Sequence, residues 1–267
     1  MENNKVSIGS VFSRAFKYWK QFGTQIILVA FIVYLPAQIL IELLSKYFDT
    51  AFAIDNLRKV QLVNNVYELI RYLLGSVASL GIIYFIYEKS KNEEVNISWK
   101  EMLFLGLRKW AKFMVAGLLA GLKVLLYLLM LIIPGIIKGI KLSFVDCMVA
   151  TKDYNAKESC DESEGLANKR LGLVFGYFVL VFFMQLIIEA FFALIILGGS
   201  DSSIRSVILG VTVKLVETFF VVSKGVFFFQ LETAYSGVQP NTEPALVGSQ
   251  QLPAPNPQNN DVGNVRE

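Results

Sequence analysis

Five ionisable residues stand inside long apolar runs: Lys123, Glu189, Lys214, Glu217 and Lys224. A charge at membrane depth costs roughly 2.5–3.5 kcal/mol on insertion scales, so such residues normally turn inward and take partners. The chemistry open to them is charge pairing, a polar path for a solute or a proton, or electrostatic glue between helices. Lys214, Glu217 and Lys224 fall within an arc of about 80° at 100° per helical residue. Lys214 and Glu217 are also spaced to pair within one helix. Counting from the run ends at about 1.5 Å per residue puts Lys123 level with Glu217 and Glu189 near Lys214. Interhelical pairs Lys123–Glu217 and Glu189–Lys214 are therefore expected.

Other chemistry is thin. The chain has no histidine, which removes Ser-His-Asp and Cys-His nucleophile activation and most zinc sites. It has no GxxxxGK[ST] loop and no GxSxG elbow. Cys147 and Cys160 are expected as free thiols near a reducing compartment. Cys160 precedes acidic residues, which disfavour its thiolate. Asp146, Asp153, Glu158, Asp161, Glu162 and Glu164 read as a solvated acidic face. No catalytic residue, cofactor or metal is expected, and a net charge of +3 gives no reason to invoke nucleic acid.

The elements that must hold these charges are membrane helices. Hydrophobic residues make up 54% of the chain and charged ones 18%, against about 45–50% and 25% in soluble domains. The excess sits in runs near 24–44, 66–87, 112–133, 171–197 and 205–231, each long enough to cross a bilayer. The first is too long for a signal core and reads as a retained helix. A sixth run, 136–151, is short and follows Pro134-Gly135. Counting it as a crossing puts fourteen Lys and Arg on one side and four on the other. The fourteen include Arg14, Lys17, Lys20, Arg108, Lys109, Lys112, Lys169 and Arg170. That bias predicts six spans with both termini cytoplasmic. The expectation is an all-α helix bundle over residues 1–235, with the lipid bilayer as its constant partner. Residues 236–267 hold five of the seven prolines and read as a disordered cytoplasmic tail.

Two segments share one apolar spacing: Ile8, Val11, Phe12, Ala15, Phe16, Trp19, and Trp99, Met102, Leu103, Gly106, Leu107, Trp110. Each lies on one helical face and runs straight into a span. Ser98 with Glu101, and Ser159 with Glu162, fit capping boxes; the second would open a third amphipathic segment. The predicted unit is an interfacial helix, a span out and a span back, used three times. A compatible reading is that the stripes form a cytoplasmic collar of the bundle, packed on each other.

The stretch IIPGIIKGIKLSFVDCMVATKDYNAKESCDESEGL, residues 132–166, is similar to the membrane domain attached to some bacterial glycerophosphoryl diester phosphodiesterases and to related stand-alone membrane proteins. The shared features are a run ending in Pro-Gly-Ile, a K-x-S-F helix, and a Ser-containing amphipathic segment. Residues 7–36 resemble the start of that family. The resemblance spans roughly residues 7–235 and does not include the soluble phosphodiesterase barrel. It implies a non-enzymatic protein of the bacterial cytoplasmic membrane, structural or partner-binding and linked to envelope lipids. The charged stripe supports an alternative, a small transporter or permease subunit. Protein partner and oligomeric state are not readable.

Overall fold

The computed structural model describes residues 6–52, 57–197 and 203–236. Among these, every element is helical: α1 (Ile8–Phe52), α2 (Leu57–Lys91), α3 (Trp99–Met130), α4 (Ile132–Lys141), α5 (Val145–Thr151), α6 (Ala156–Asn168), α7 (Leu171–Leu197) and α8 (Ser203–Ser236). Four helices are long and apolar enough to cross a membrane: Ile8–Tyr47, Val63–Lys91, Trp99–Met130 and Leu171–Phe192. The tail from residue 237 on lies outside the described residues.

The two matched amphipathic stripes are not separate interfacial helices. Each is the first turns of a longer helix, α1 or α3, which continues without a break into the apolar run. Much of each apolar face packs within the bundle. Val11, Ala15, Met102 and Gly106 are buried. Phe12 and Trp19 stack on Phe219 of α8, and the Trp110 indole donates to Leu73 O of α2 at 2.8 Å. Phe16 and Leu107 of the same stripes remain exposed, so only part of each apolar face is covered by the bundle.

Helix starts follow local chemistry. Ser98 and Glu101 form the expected reciprocal capping box of α3. The start of α6 differs from expectation: Asn155 caps it with Glu158. Ser159 instead lies inside the helix, its hydroxyl donating to Asn155 O at 2.8 Å. Asparagine accepts the N3 amide as well as serine does, so two candidate boxes competed and the earlier one opened the helix.

The run 136–151 is a correction. It is not one helix but the end of α4, a turn at residues 142–144, and α5. Leu131 is extended, with φ −161° and ψ 143°, and turns the chain sharply from α3 into α4. Gly135 then lies so close to Leu128 of α3 that a Cβ would come within 2.8 Å of its Cα. At the far end of α5, Lys152 O accepts from Lys109 of α3 at 3.2 Å. Between those contacts α4 and α5 retrace about 29 Å of α3.

Two glycines set the α2–α3 register. A methyl at Gly81 would strike Met102 O, and one at Gly106 would strike Val77 O. Small residues permit such close backbone approach between helices. This register staggers the apolar runs. It sets Trp110 against Leu73, so Lys123 lies a few turns beyond Glu68 and far from the level of Glu217.

Candidate functional site

The break between α4 and α5 is held from outside. Phe144 N–H donates to the Ser163 hydroxyl of α6 at 3.2 Å, and that hydroxyl donates to Lys141 O at 2.9 Å. One buried serine satisfies two of the backbone groups that the interrupted helix leaves open. Beyond the break, Asp146 in the first turn of α5 meets Lys224 of α8 at 2.7 Å.

This pair forms one wall of a cavity of about 460 Å³. Glu68 and Arg71 line it from α2, and these two pair with each other. Lys214 and Glu217 line it from α8, with the Lys214 ammonium donating to both carboxylate oxygens at 2.7 and 3.0 Å. Tyr34 of α1 lies over Gly75, where a Cβ would come within 2.8 Å of the tyrosine ring. Ser76, Ser79 and Ser143 add hydroxyls. The Ser143 oxygen is buried and has no hydrogen-bond partner among the described residues. Gly117 of α3 leaves the opposite wall open; a Cβ there would meet only the Tyr72 hydroxyl, at 3.8 Å.

Three of the five residues singled out from the sequence therefore face one chamber: Lys214, Glu217 and Lys224. The other two do not. Lys123 pairs with Asp161 at 3.0 Å and lies 3.6 Å from Glu164; Lys138 also reaches Glu164, at 2.7 Å. Glu189 is exposed on α7 and has no ion-pair partner among the described residues. Neither expected interhelical pair forms. Depth counting assumed that every run starts at one plane, and the α2–α3 stagger removes that assumption. Lys214 took the nearer alternative, the acid three residues along its own helix.

Three charged lining residues, Asp146, Glu68 and Arg71, lie outside the five expected from the sequence. Asp146 is not part of a solvated acidic face; its partner is a lysine 78 residues away. Its signal was its setting, a single acid between Phe144-Val145 and Cys147-Met148-Val149. Glu68 and Arg71 stand near the start of the 66–87 run, where charges are ordinary at the end of a span. The remaining acids are mixed. Asp161 and Glu164 bind α6 to α3 and α4, while Asp153 is exposed and pairs with Lys109 and Lys112.

The two cysteines are free and buried. The Cys160 thiol is pushed up, first by burial; Lys123 opposes the rise, and Asp161 and Glu164 add to it. No group of three metal-ligating side chains occurs among the described residues.

Chemically, the chamber is a space lined by ion pairs and hydroxyls, bordered by a broken helix. It can hold a polar solute through charge-assisted hydrogen bonds. Comparison with family models, curated proteins and solved structures found no match.

Proposed function

We propose that this chain is a non-enzymatic carrier, a small transporter or permease subunit, that takes a small polar solute through the charged chamber. It crosses the bacterial cytoplasmic membrane six times with both termini in the cytoplasm, and α4 and α5 together make the fourth crossing. The observation that carries this reading is the helix break at residues 142–144, which borders the chamber through Leu142, Ser143 and Asp146. Irregular backbone at membrane depth is tolerated where it is buried in protein or lines a polar cavity. Carriers build their binding sites at such discontinuous helices. The Lys214–Glu217 and Lys224–Asp146 pairs are closed at 2.7 Å, yet all four side chains remain 20–28% exposed around an open volume, so a solute could reach them. The bias of Lys and Arg toward one set of loops supports the orientation.

The test is uptake into proteoliposomes containing the full chain, with labelled amino acids, sugars and monocarboxylates and an imposed proton or sodium gradient. At least one solute should accumulate above empty liposomes. Glu217→Gln or Lys214→Met should abolish that uptake while leaving the melting temperature within a few degrees. A folded, reconstituted protein that moves none of these solutes overturns the reading. An enzymatic reporter fused after Glu267 should be active in the cytoplasm; activity only outside overturns the orientation.

A further inference from the structure

We propose that the chamber selects a compact zwitterion, a solute of free amino-acid size bearing one ammonium and one carboxylate. This inference rests on the carrier reading and adds the class of solute.

Six ionisable side chains line the cavity: Glu68, Arg71, Asp146, Lys214, Glu217 and Lys224. Three are acids and three are bases, so their formal charges cancel. A site for a simple anion or cation needs an excess of the opposite sign, because an unpaired charge taken from water costs several kcal/mol. Here each base already holds an acid of the protein. A singly charged solute that displaced one partner would strand the other. A zwitterion replaces one ion pair by two, its carboxylate on the base and its ammonium on the acid, and leaves no charge alone.

The order of signs adds a second argument. α1 runs antiparallel to α2, with Tyr34 over Gly75 and Phe22 on Phe85. It also runs antiparallel to α8, with Ser10 bonded to Gln230 and Trp19 on Phe219. α2 and α8 are therefore parallel to each other. Along α2 the acid comes first, Glu68 then Arg71; along α8 the base comes first, Lys214 then Glu217. Gly225 against Ile86 and Phe228 on Tyr87 set the register between the two helices. That register puts Lys214 about one turn beyond Arg71. Over these four residues the signs thus run negative, positive, positive, negative, with the closed Lys224–Asp146 pair further along α8. Two adjacent bases suit a carboxylate, and an acid to either side suits the ammonium attached to it. A volume of about 460 Å³ suits a solute of this size with a few waters.

The experiment uses the purified full chain in lipid nanodiscs. Binding of the twenty common amino acids is measured by thermal shift and equilibrium dialysis, with glucose and lactate alongside. Each binder is then compared with its methyl ester, which keeps only the ammonium, and its N-acetyl form, which keeps only the carboxylate. At least one free amino acid should bind tenfold or more tighter than both of its single-charge forms. Arg71→Gln and Glu217→Gln should each weaken it tenfold or more. Gly117→Leu, which fills the chamber without touching a charge, should abolish binding at a near-native melting temperature. A single-charge form that binds within twofold of its parent overturns the zwitterion. Binding of glucose or lactate with no amino acid also overturns it and leaves the carrier reading standing. No binding by any of these solutes to a folded protein overturns both.

Discussion

The Ser163 side chain on α6 caps the Phe144 amide at the break between α4 and α5, accepting its hydrogen at 3.2 Å while donating to Lys141 O at 2.9 Å. Ser163 is fully buried, so water cannot replace it. Ser163→Ala leaves two backbone groups unsatisfied, at about 1–3 kcal/mol each before relaxation. The melting temperature in detergent should fall by several degrees. Thr212→Ala, which removes a hydroxyl bonded to Ile208 O within its own helix, should change it by a degree or less. Equal effects would mean that the break is held by something other than this serine.

Lys224 and Asp146 make the long-range ion pair of the chamber, at 2.7 Å. Removing one partner leaves the other charge enclosed without compensation, a change that costs about 3–5 kcal/mol for fully buried pairs. Both side chains keep about a fifth of their surface exposed, so about 2 kcal/mol is expected for Lys224→Met or Asp146→Ala alone. The double variant should be more stable than either single one. A double-mutant cycle on unfolding free energies measures the coupling directly, and strictly additive effects would show that the two residues do not support each other.

These two relationships mark where sequence reading succeeded and where it stopped. The apolar runs announced the four long apolar helices, because bilayer thickness imposes a length that composition alone reveals. The charged arc of α8 was legible for a similar reason: three ionisable residues on one face of an apolar helix need a polar setting. Their partners were not legible. Pairing depends on helix register, and here register is set by backbone contact at Gly81 and Gly106, which no hydropathy pattern encodes. The break after Lys141 was hidden as well, since residues 142–144 contain no proline or glycine and their turn depends on a serine from another helix. Asp146 was grouped with its acidic neighbours in sequence, although α5 turns it toward α8 and away from them.

The glycine contacts give a test with two signs. A methyl at Gly81 or Gly106 meets a backbone carbonyl that cannot swing aside, so Gly→Ala at either position should push α2 and α3 apart. A loss of about 1–3 kcal/mol is expected from such overpacking. Gly9 and Gly23 also sit inside a helix but have nothing within 4 Å of a built Cβ. There the same substitution should stabilise by about 0.5–1 kcal/mol, because alanine loses less backbone freedom on folding. Melting curves of the four single variants separate the cases. Uniform stabilisation would contradict the close α2–α3 approach.

Outside the helix core, Asp153 gives a pH-dependent contact. Lys112 hydrogen-bonds and attracts it, Lys109 adds to this, and together they hold its carboxyl below the ordinary aspartate value. A depressed folded pKa means that the contribution is complete above the unfolded pKa, about 3.9, and is lost as pH falls through the lower folded value. The carboxylate is almost fully exposed, so the effect is local, screened by salt, and too small to read in global melting. It should appear in hydrogen exchange of the first turn of α6, which begins three residues further along the chain. Once corrected for intrinsic rates, protection of that turn should hold steady at neutral and mildly acidic pH and drop only below the ordinary aspartate range. Asp153→Asn should remove that acid-side step, leaving whatever the neighbouring Glu158 cap contributes, and 1 M salt should shrink it. A step that survives unchanged in Asp153→Asn would assign it to the capping box and leave the lysine contacts without a measurable role.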